Sequence, residues 1–320
     1  MGKKTKLWLI VAASLILIGC LIFGGIMTVL KWDFSKLSTT KYETNHHEIR
    51  EDYQDISIVA NTADISFVLS EDTNTSVVCH EEKNQKHSVF VEDGTLVIKV
   101  VNTKKWYEHI GFSFGTPKIT VFLPQGKYSA LSVQTSTGKV VLPKEYTFES
   151  IDITCSTGEV ANYASATGHV KISATTGDIL VENISAESLA LSVSTGKITL
   201  SGTACQEDVT VNVSTGKATL TDIRCKNLIS SGSTGDVTLR NVIVEEKLSV
   251  TRSTGDVRFD RCDGGEIFVK TGTGDVNGSL LTDKVFFVQS STGDIDLPKT
   301  SAGGRCEIET STGDITITLE

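Results

Sequence analysis

The chain has few of the residue patterns on which enzymes and nucleic-acid-binding proteins depend. It contains six histidines in 320 residues, and none lies in a nucleophile–base or zinc-binding motif. Its seven cysteines show no Cys-x-x-Cys spacing, which argues against the common zinc modules. Acidic residues (39) outnumber basic residues (30) and give a net charge of −9. Nucleic acid and other anionic polymers are therefore not expected as partners.

What the chain has in quantity is a short repeat. A Thr-Gly pair recurs ten times at intervals of 19 or 20 residues. Within one copy, residues 189–200, apolar and polar residues alternate on both sides of the pair, which indicates strands with one buried face. Glycine suits a corner between strands because it adopts positive φ without a Cβ clash. The predicted turn glycines are Gly138, Gly158, Gly177, Gly196, Gly216, Gly235, Gly255, Gly274, Gly293 and Gly313.

Two all-β architectures accommodate this unit. In an antiparallel meander each Thr-Gly pair is a hairpin loop, whereas in a β-solenoid each copy is one coil. The nearly constant interval favours the solenoid, because each coil must overlay the one before it, and Thr-Gly is a weak hairpin turn. We predict an all-β fold, a single-stranded parallel β-solenoid of about ten coils preceded by one N-terminal transmembrane helix.

The Thr-Gly-Asp repeats, the segment KITVFLPQG (residues 118–126) and the apolar N-terminus resemble a known family. It is the bacterial β-strand-repeat "putative adhesin" family, a domain of unknown function that includes LiaG-like membrane-anchored envelope proteins. The resemblance covers residues 56–320 and implies a right-handed β-helix, a place in the cell envelope and a part in its stress response. It implies no catalytic residue.

The N-terminus predicts a membrane anchor. Lys3, Lys4 and Lys6 precede an uncharged, mostly apolar run at residues 7–30 that is long enough to span a bilayer. By the positive-inside rule the amino end is cytoplasmic and the rest of the chain extracellular, in a single-pass plasma-membrane protein. A cleaved signal peptide is one alternative, and lipidation at Cys20 is another. The apolar run continues past Cys20, which favours a retained anchor.

The region before the first clear repeat is less regular. Residues 57–69 resemble a degenerate coil with Thr-Ala-Asp at its corner, and residues 89–100 predict a hairpin around Asp93-Gly94. Residues 102–115 concentrate aromatic side chains and are interpreted as a cap over the first coil or as a ligand loop. The predicted divisions are a cytoplasmic N-terminus at 1–6, the transmembrane helix at 7–30, a juxtamembrane linker at 31–55, an irregular β region at 56–126 and the solenoid repeats at 127–320.

The candidate metal ligands form a column of aspartates beside the last five turn glycines. Such carboxylates, one strand spacing apart, repel each other unless they are neutralised, and Ca²⁺ is the cation that oxygen ligands favour. Alternatively each carboxylate accepts a backbone N–H at its own corner. The Gly-Gly-x-Gly-x-Asp pattern of calcium β-rolls is absent, so we predict turn carboxylates. They are Asp236, Asp256, Asp275, Asp294 and Asp314.

Two cysteines and the end of the chain give further expectations. Cys205 and Cys225 share one repeat phase, so we expect them to be stacked neighbours, either as two thiols or as a disulfide. The sequence ends at Glu320, directly after a strand segment at 314–319. We therefore expect the last coil to be the free end of the rod, open to strand addition or guarded by the charges of Glu307, Glu309, Asp314 and Glu320.

Two function classes follow from these observations. The first is a non-enzymatic, membrane-anchored extracellular protein that acts as an adhesin or envelope scaffold, with a protein or cell-wall partner and no cofactor. The second is a carbohydrate-active β-helix enzyme acting on wall polysaccharide. The short repeat intervals leave no room for a cleft-forming insertion between coils, so we favour the first.

Overall fold

The computed structural model describes residues 2–37, 40–71, 74–102 and 115–320. Helix α1 spans Lys3–Val29 and is followed by a short 3-10 helix at Phe34–Leu37. Among the described residues, α1 is the one helix long and apolar enough to cross a membrane. This agrees with the predicted anchor, although a signal sequence near the N-terminus meets the same criteria of length and hydropathy.

The strands that follow α1 form the first end of the rod. They are β1 (Tyr42–Ile49), β2 (Asp55–Thr62), β3 (Asp64–Leu69), β4 (Thr75–Glu82), β5 (Gln85–Glu92), β6 (Thr95–Asn102) and β7 (Lys118–Leu123).

The solenoid continues through paired strands on either side of each Thr-Gly corner. They are β8 (Lys127–Thr137), β9 (Val140–Leu142), β10 (Thr147–Thr157), β11 (Val160–Asn162), β12 (Ser165–Ala166), β13 (His169–Thr176), β14 (Ile179–Glu182), β15 (Ser185–Ala186), β16 (Ser188–Thr195), β17 (Ile198–Cys205), β18 (Asp208–Thr215), β19 (Ala218–Thr234), β20 (Val237–Thr254), β21 (Val257–Thr273), β22 (Val276–Leu280), β23 (Lys284–Thr292), β24 (Ile295–Asp296), β25 (Gly304–Thr312) and β26 (Ile315–Leu319).

Successive coils stack in parallel with their repeat positions aligned, which confirms the predicted solenoid. Thr195 pairs with Thr176 on one side and with Thr215 on the other. Apolar residues two and four positions after a corner glycine face the interior, and Ile198 and Leu200 are fully buried. Alternation along each strand therefore builds one continuous core inside the rod.

The corner glycines are required by close approach of the backbone as well as by φ. Gly196 has φ 147°, and a Cβ added there would lie 1.8 Å from the carbonyl oxygen of Gly177 in the preceding coil. Any side chain would therefore push the two coils apart, so glycine is the residue that lets the corners stack.

The order of the last two coils differs from their order in the sequence. Strand β25 lies between β21 and β23, and β26 lies between β22 and β24. The Gly313 coil is therefore inserted between the Gly274 coil and the Gly293 coil. The backbone hydrogen bonds agree, because Gly274 N–H donates to Thr312 and Gly313 N–H donates to Thr292.

This insertion corrects the prediction that the last coil of the sequence is the free end. The Gly313 coil is enclosed on both sides, and its residues Cys306 and Ile308 are buried. The coil at the end of the rod is instead the one formed by β23 and β24.

The opposite end of the rod is closed by antiparallel strands. Strands β2 and β3 stack in parallel on β8 and β9 around the corner at Ala63, which confirms the degenerate Thr-Ala-Asp coil. β6 and β7 stack beyond them. β5 then pairs antiparallel with β6, which confirms the hairpin around Asp93-Gly94, and β4 pairs antiparallel with β7.

The predicted juxtamembrane linker at 31–55 is not a linker throughout, because Tyr42–Ile49 forms β1, which pairs with β4. Alternate residues of β1 are partly buried, which gives this polar segment a packed face. The aromatic cap or loop at 102–115 lies almost entirely outside the described residues.

Cys205 and Cys225 are buried free thiols, and burial raises the pKa of Cys205 to about 11 and that of Cys225 to about 12.

Candidate functional site: the corner column and the open edge

The aspartate column runs along one corner of the rod and links each coil to the next. The carboxylate of Asp256 accepts the backbone N–H of Asp275 at 3.1 Å, and that of Asp275 accepts the N–H of Asp314 at 2.9 Å. Asp314 accepts the N–H of Asp294 at 2.8 Å. Each carboxylate thus bonds to the equivalent residue of the next coil. The sequence predicted that each carboxylate would accept a backbone N–H of its own corner, whereas the observed bonds join one coil to the next.

Neighbouring cations offset the repulsion in this column. Asp236 lies 3.2 Å from the ammonium group of Lys217, and Asp256 lies 3.4 Å from the guanidinium group of Arg258. Partial burial raises the pKa of Asp236, but hydrogen bonds from Lys217 and the N–H of Asp256 outweigh it and hold the pKa below its ordinary value. The carboxylates of Asp236, Asp256, Asp275 and Asp314 are thus engaged by donors that the chain itself supplies.

The second feature is the last coil of the rod, formed by β23 and β24, which we call the open edge. Among the described strands, β23 pairs with β25 alone and β24 pairs with β26 alone. The other side of each strand carries backbone donors and acceptors with no neighbouring strand. Such an edge is a template for pairing with another extended chain.

Strand β23 of the open edge has little of the protection that edge strands commonly carry. Residues 285–292, VFFVQSST, contain no charged residue and no proline. Lys284, at the start of β23, is buried, and its ammonium group is bound by Asp263 at 2.6 Å and by Thr282 at 2.6 Å. This lysine therefore does not project to block a strand from approaching, as exposed edge lysines do.

Large apolar side chains are exposed on the open edge. Phe287 is 53% exposed and Ile295 is 45% exposed. Phe287 is nevertheless held in place, because the guanidinium group of Arg305 in the adjacent strand lies 4.9 Å from its ring centroid. The ring of Phe287 can therefore fill an apolar pocket of a partner, in addition to the hydrogen bonds that the backbone of β23 can form with that partner.

Asp294 extends the corner column to the open edge. Its N–H is used by Asp314, but no further described coil donates to its carboxylate. At Asp256, Asp275 and Asp314, by contrast, the carboxylate accepts the backbone N–H of the equivalent residue in the next coil. The Asp294 carboxylate is thus placed to accept an N–H from a strand added beyond β24.

The sequence therefore located the corner column and missed the open edge. All five predicted aspartates lie at stacked corners, although in the order Asp275, Asp314, Asp294. The acidic residues expected to guard the free end, Glu307 and Glu309, belong to the enclosed strand β25. The sequence feature that could have indicated the edge is the uncharged run in β23.

Comparisons with known proteins agree with this architecture. A family model described as Toastrack DUF4097 matches residues 53–207 and 202–320. A "putative lipid binding protein" from Parabacteroides distasonis ATCC 8503 is 16% identical, with 88% of this chain and 98% of that chain covered and a TM-score of 0.50. A "putative adhesin" from the same organism is 12% identical, with 88% and 98% covered and a TM-score of 0.47.

Another "putative adhesin", from Bacteroides fragilis NCTC 9343, is 13% identical, with 87% of this chain and 97% of that chain covered and a TM-score of 0.38. The comparison with curated proteins gives no match. At 16% identity, the likeness to the "putative lipid binding protein" shows the fold alone.

Proposed function

The chain belongs to the Toastrack DUF4097 family, and on that premise we propose that it is a non-enzymatic, membrane-anchored binding protein of the cell envelope. In this proposal α1 anchors it in the plasma membrane with the N-terminus in the cytoplasm. The solenoid is extracellular and acts as an adhesin or scaffold. The resemblance to LiaG-like proteins supports the envelope stress response as its process.

The observation that carries the proposal is the open edge. We infer that it binds an extended segment of a partner protein, which adds a parallel or antiparallel strand beyond β23. The unpaired backbone of β23, its uncharged run at 285–292 and the exposed ring of Phe287 all favour such a partner. Residues 31–320 carry 39 acidic and 27 basic residues, so an anionic wall polymer is disfavoured as the ligand.

The test is site-specific photo-crosslinking of the full-length chain in native membranes. A photoreactive residue replaces Phe287 on the open edge or, as the control, Ala190, which has the same repeat phase and is exposed on β16 in the middle of the rod. We expect a protein adduct from position 287 and none from position 190. The crosslinked partner peptide should be a short segment able to form a strand.

A pair of charge substitutions makes the test specific for strand addition. Gln289→Lys with Ser291→Lys places two cations on the open edge and should abolish the adduct. The matched control, Asn212→Lys with Ser214→Lys, has the same two phases on β18 and should leave it unchanged. Adducts from position 190 alone, adducts to a second copy of this chain, or cleavage of wall polysaccharide by the purified protein would each contradict the proposal.

A further inference from the structure

Three side chains of different donor types converge inside the closed end of the rod. The side chains of Glu81 and His87 are 1% and 4% exposed, and Cys79 is fully buried. One donor atom from each of the three lies within 4.8 Å of the others. A thiol, a carboxylate and an imidazole are thus grouped where water does not reach them.

The group lies where two neighbouring strands separate. Strands β4 and β5 pair at one position, Glu82 with Gln85. Away from this pair, the carboxylate of Glu81 on β4 contacts His87 on β5. One carboxylate oxygen of Glu81 lies 2.7 Å from Nδ1 of His87 and accepts the backbone N–H of His87 at 2.6 Å. The other oxygen accepts the side-chain amide of Asn45 at 2.7 Å.

The carboxylate is therefore oriented by neighbours in the way that metal-binding carboxylates are. Cys79 lies two residues before Glu81, on the same buried face of β4. Its thiol is poorly placed to ionise alone, because burial and then the negative charge of Glu81 raise its pKa to about 12. A bound cation would reverse that balance, since a coordinated thiol is held as thiolate.

A second imidazole lies on the same face of the sheet. Nε2 of His47 is buried and, among the described residues, has no hydrogen-bond partner. His47 lies opposite Val77 in the register of β1 and β4, so Cys79 is its diagonal neighbour on the sheet. Its ring nitrogens do not belong to the group whose donor atoms lie within 4.8 Å of one another, so His47 is not counted as a ligand.

We propose that Cys79, Glu81 and His87 form a binding site for a divalent transition metal ion, with Zn²⁺ the best match. Mixed sulfur, nitrogen and oxygen donors suit Zn²⁺ and exclude the oxygen-seeking cations Ca²⁺ and Mg²⁺. A tetrahedral Zn²⁺ holds its ligand atoms about 3.3–3.6 Å apart, so Nδ1 of His87 and the Glu81 carboxylate oxygen, which lie 2.7 Å apart, must separate by about 0.6 Å when the ion binds. Binding releases the Cys79 thiol proton, because the ligand form of cysteine is the thiolate.

The test uses the full-length chain in detergent, stripped of metal and titrated with Co²⁺ as a spectroscopic probe. We expect one equivalent to bind, with a thiolate-to-cobalt charge-transfer band in the near ultraviolet and ligand-field bands of tetrahedral intensity. X-ray absorption of the Zn²⁺ form should then show one sulfur at about 2.3 Å and lighter ligands at about 2.0 Å. Both measurements use the unmodified protein, so they do not depend on a variant that folds.

Variants assign the ligands. Cys79→Ser should remove the charge-transfer band, and His87→Gln should weaken Co²⁺ binding at least tenfold. The control is Cys306→Ser: Cys306 is equally buried, and burial raises its pKa to about 12 as well, but it belongs to β25 in another part of the rod. It should bind Co²⁺ as the wild type does. Failure to bind one equivalent, or a bound ion with no sulfur ligand, would identify the group as a buried ion pair and overturn the proposal.

Discussion

At the scale of single residues, a cation is buried in the core at Arg252. Arg252 is 2% exposed and points into the interior, where it donates to the carbonyl of Val213 at 3.1 Å and to the hydroxyl of Ser230 at 3.3 Å. Its Nε has no partner among the described residues, and burial lowers the pKa of its guanidinium group. Gly232 leaves the necessary space, because a Cβ there would lie 1.7 Å from Nη1 of Arg252.

Ser230 and Arg252 should therefore be energetically coupled. Replacing Arg252 with Met leaves the Ser230 hydroxyl buried without its partner, so we expect unfolding free energy to fall by about 1–3 kcal/mol. Adding Ser230→Val restores the apolar residue found at this phase in the other coils and should recover most of the loss. Urea denaturation of the wild type, both single variants and the double variant measures the coupling; additive losses would mean that the two residues act independently.

The sequence shows half of this arrangement. Ser230 is the exception in a column that is apolar in the other nine repeats, so periodicity alone predicts that something polar must meet it. The repeat pattern does not identify Arg252 as the partner of Ser230, because the equivalent position in the other coils is occupied by small, polar and apolar residues. Arg252 can reach Ser230 because Gly232 has no side chain to obstruct it. This contact is apparent only from the stacking of the coils in three dimensions.

At the scale of the coil, the repeated corner acts as a bonding element between coils. The Thr-Gly spacing predicted the corner, the alternation predicted the strands, and both are confirmed. The direction of the carboxylate bonds was not predictable, because an Asp at a corner can accept an N–H from its own turn or from a neighbouring coil. The stacking distance decides this, since it brings the next coil's N–H within about 3 Å.

Because these carboxylates already accept N–H bonds, we expect Ca²⁺ to have little effect on stability. The melting temperature of metal-stripped protein should be the same with and without millimolar Ca²⁺. A cation that binds only the folded state would add about 2.7 kcal/mol at one hundred times its dissociation constant. A rise of that size in wild type that disappears in the Asp256→Asn, Asp275→Asn variant would contradict this account.

At the scale of the whole molecule, the rod has two different ends. One is closed by antiparallel strands, and the other is the open edge. The order of coils that creates the open edge could not be read from the sequence, because the Gly293 and Gly313 coils have the same phases and nearly the same length. Pro298 suits an edge coil, where its missing N–H is not needed, but Pro143 has the same phase inside the rod.

The last coil of the sequence is enclosed, and the Gly293 coil ends the rod. Lys270, Gln289 and Glu309 share one outward phase, and Lys270 pairs with Glu309, which in turn pairs with Gln289. Adjacent strands lie about 4.8 Å apart, within reach of a disulfide, whereas strands two apart are separated by about 9.6 Å and are not. Cysteine pairs at these positions therefore report the order of the coils.

The deciding measurement is disulfide formation in full-length Cys20→Ser protein carrying Lys270→Cys with Glu309→Cys, or Lys270→Cys with Gln289→Cys, each oxidised at low protein concentration and scored by mass spectrometry. We predict that positions 270 and 309 form an intrachain disulfide and that positions 270 and 289 do not. A disulfide between 270 and 289, with none between 270 and 309, would show that the coils stack in sequence order and that β23 is not the open edge.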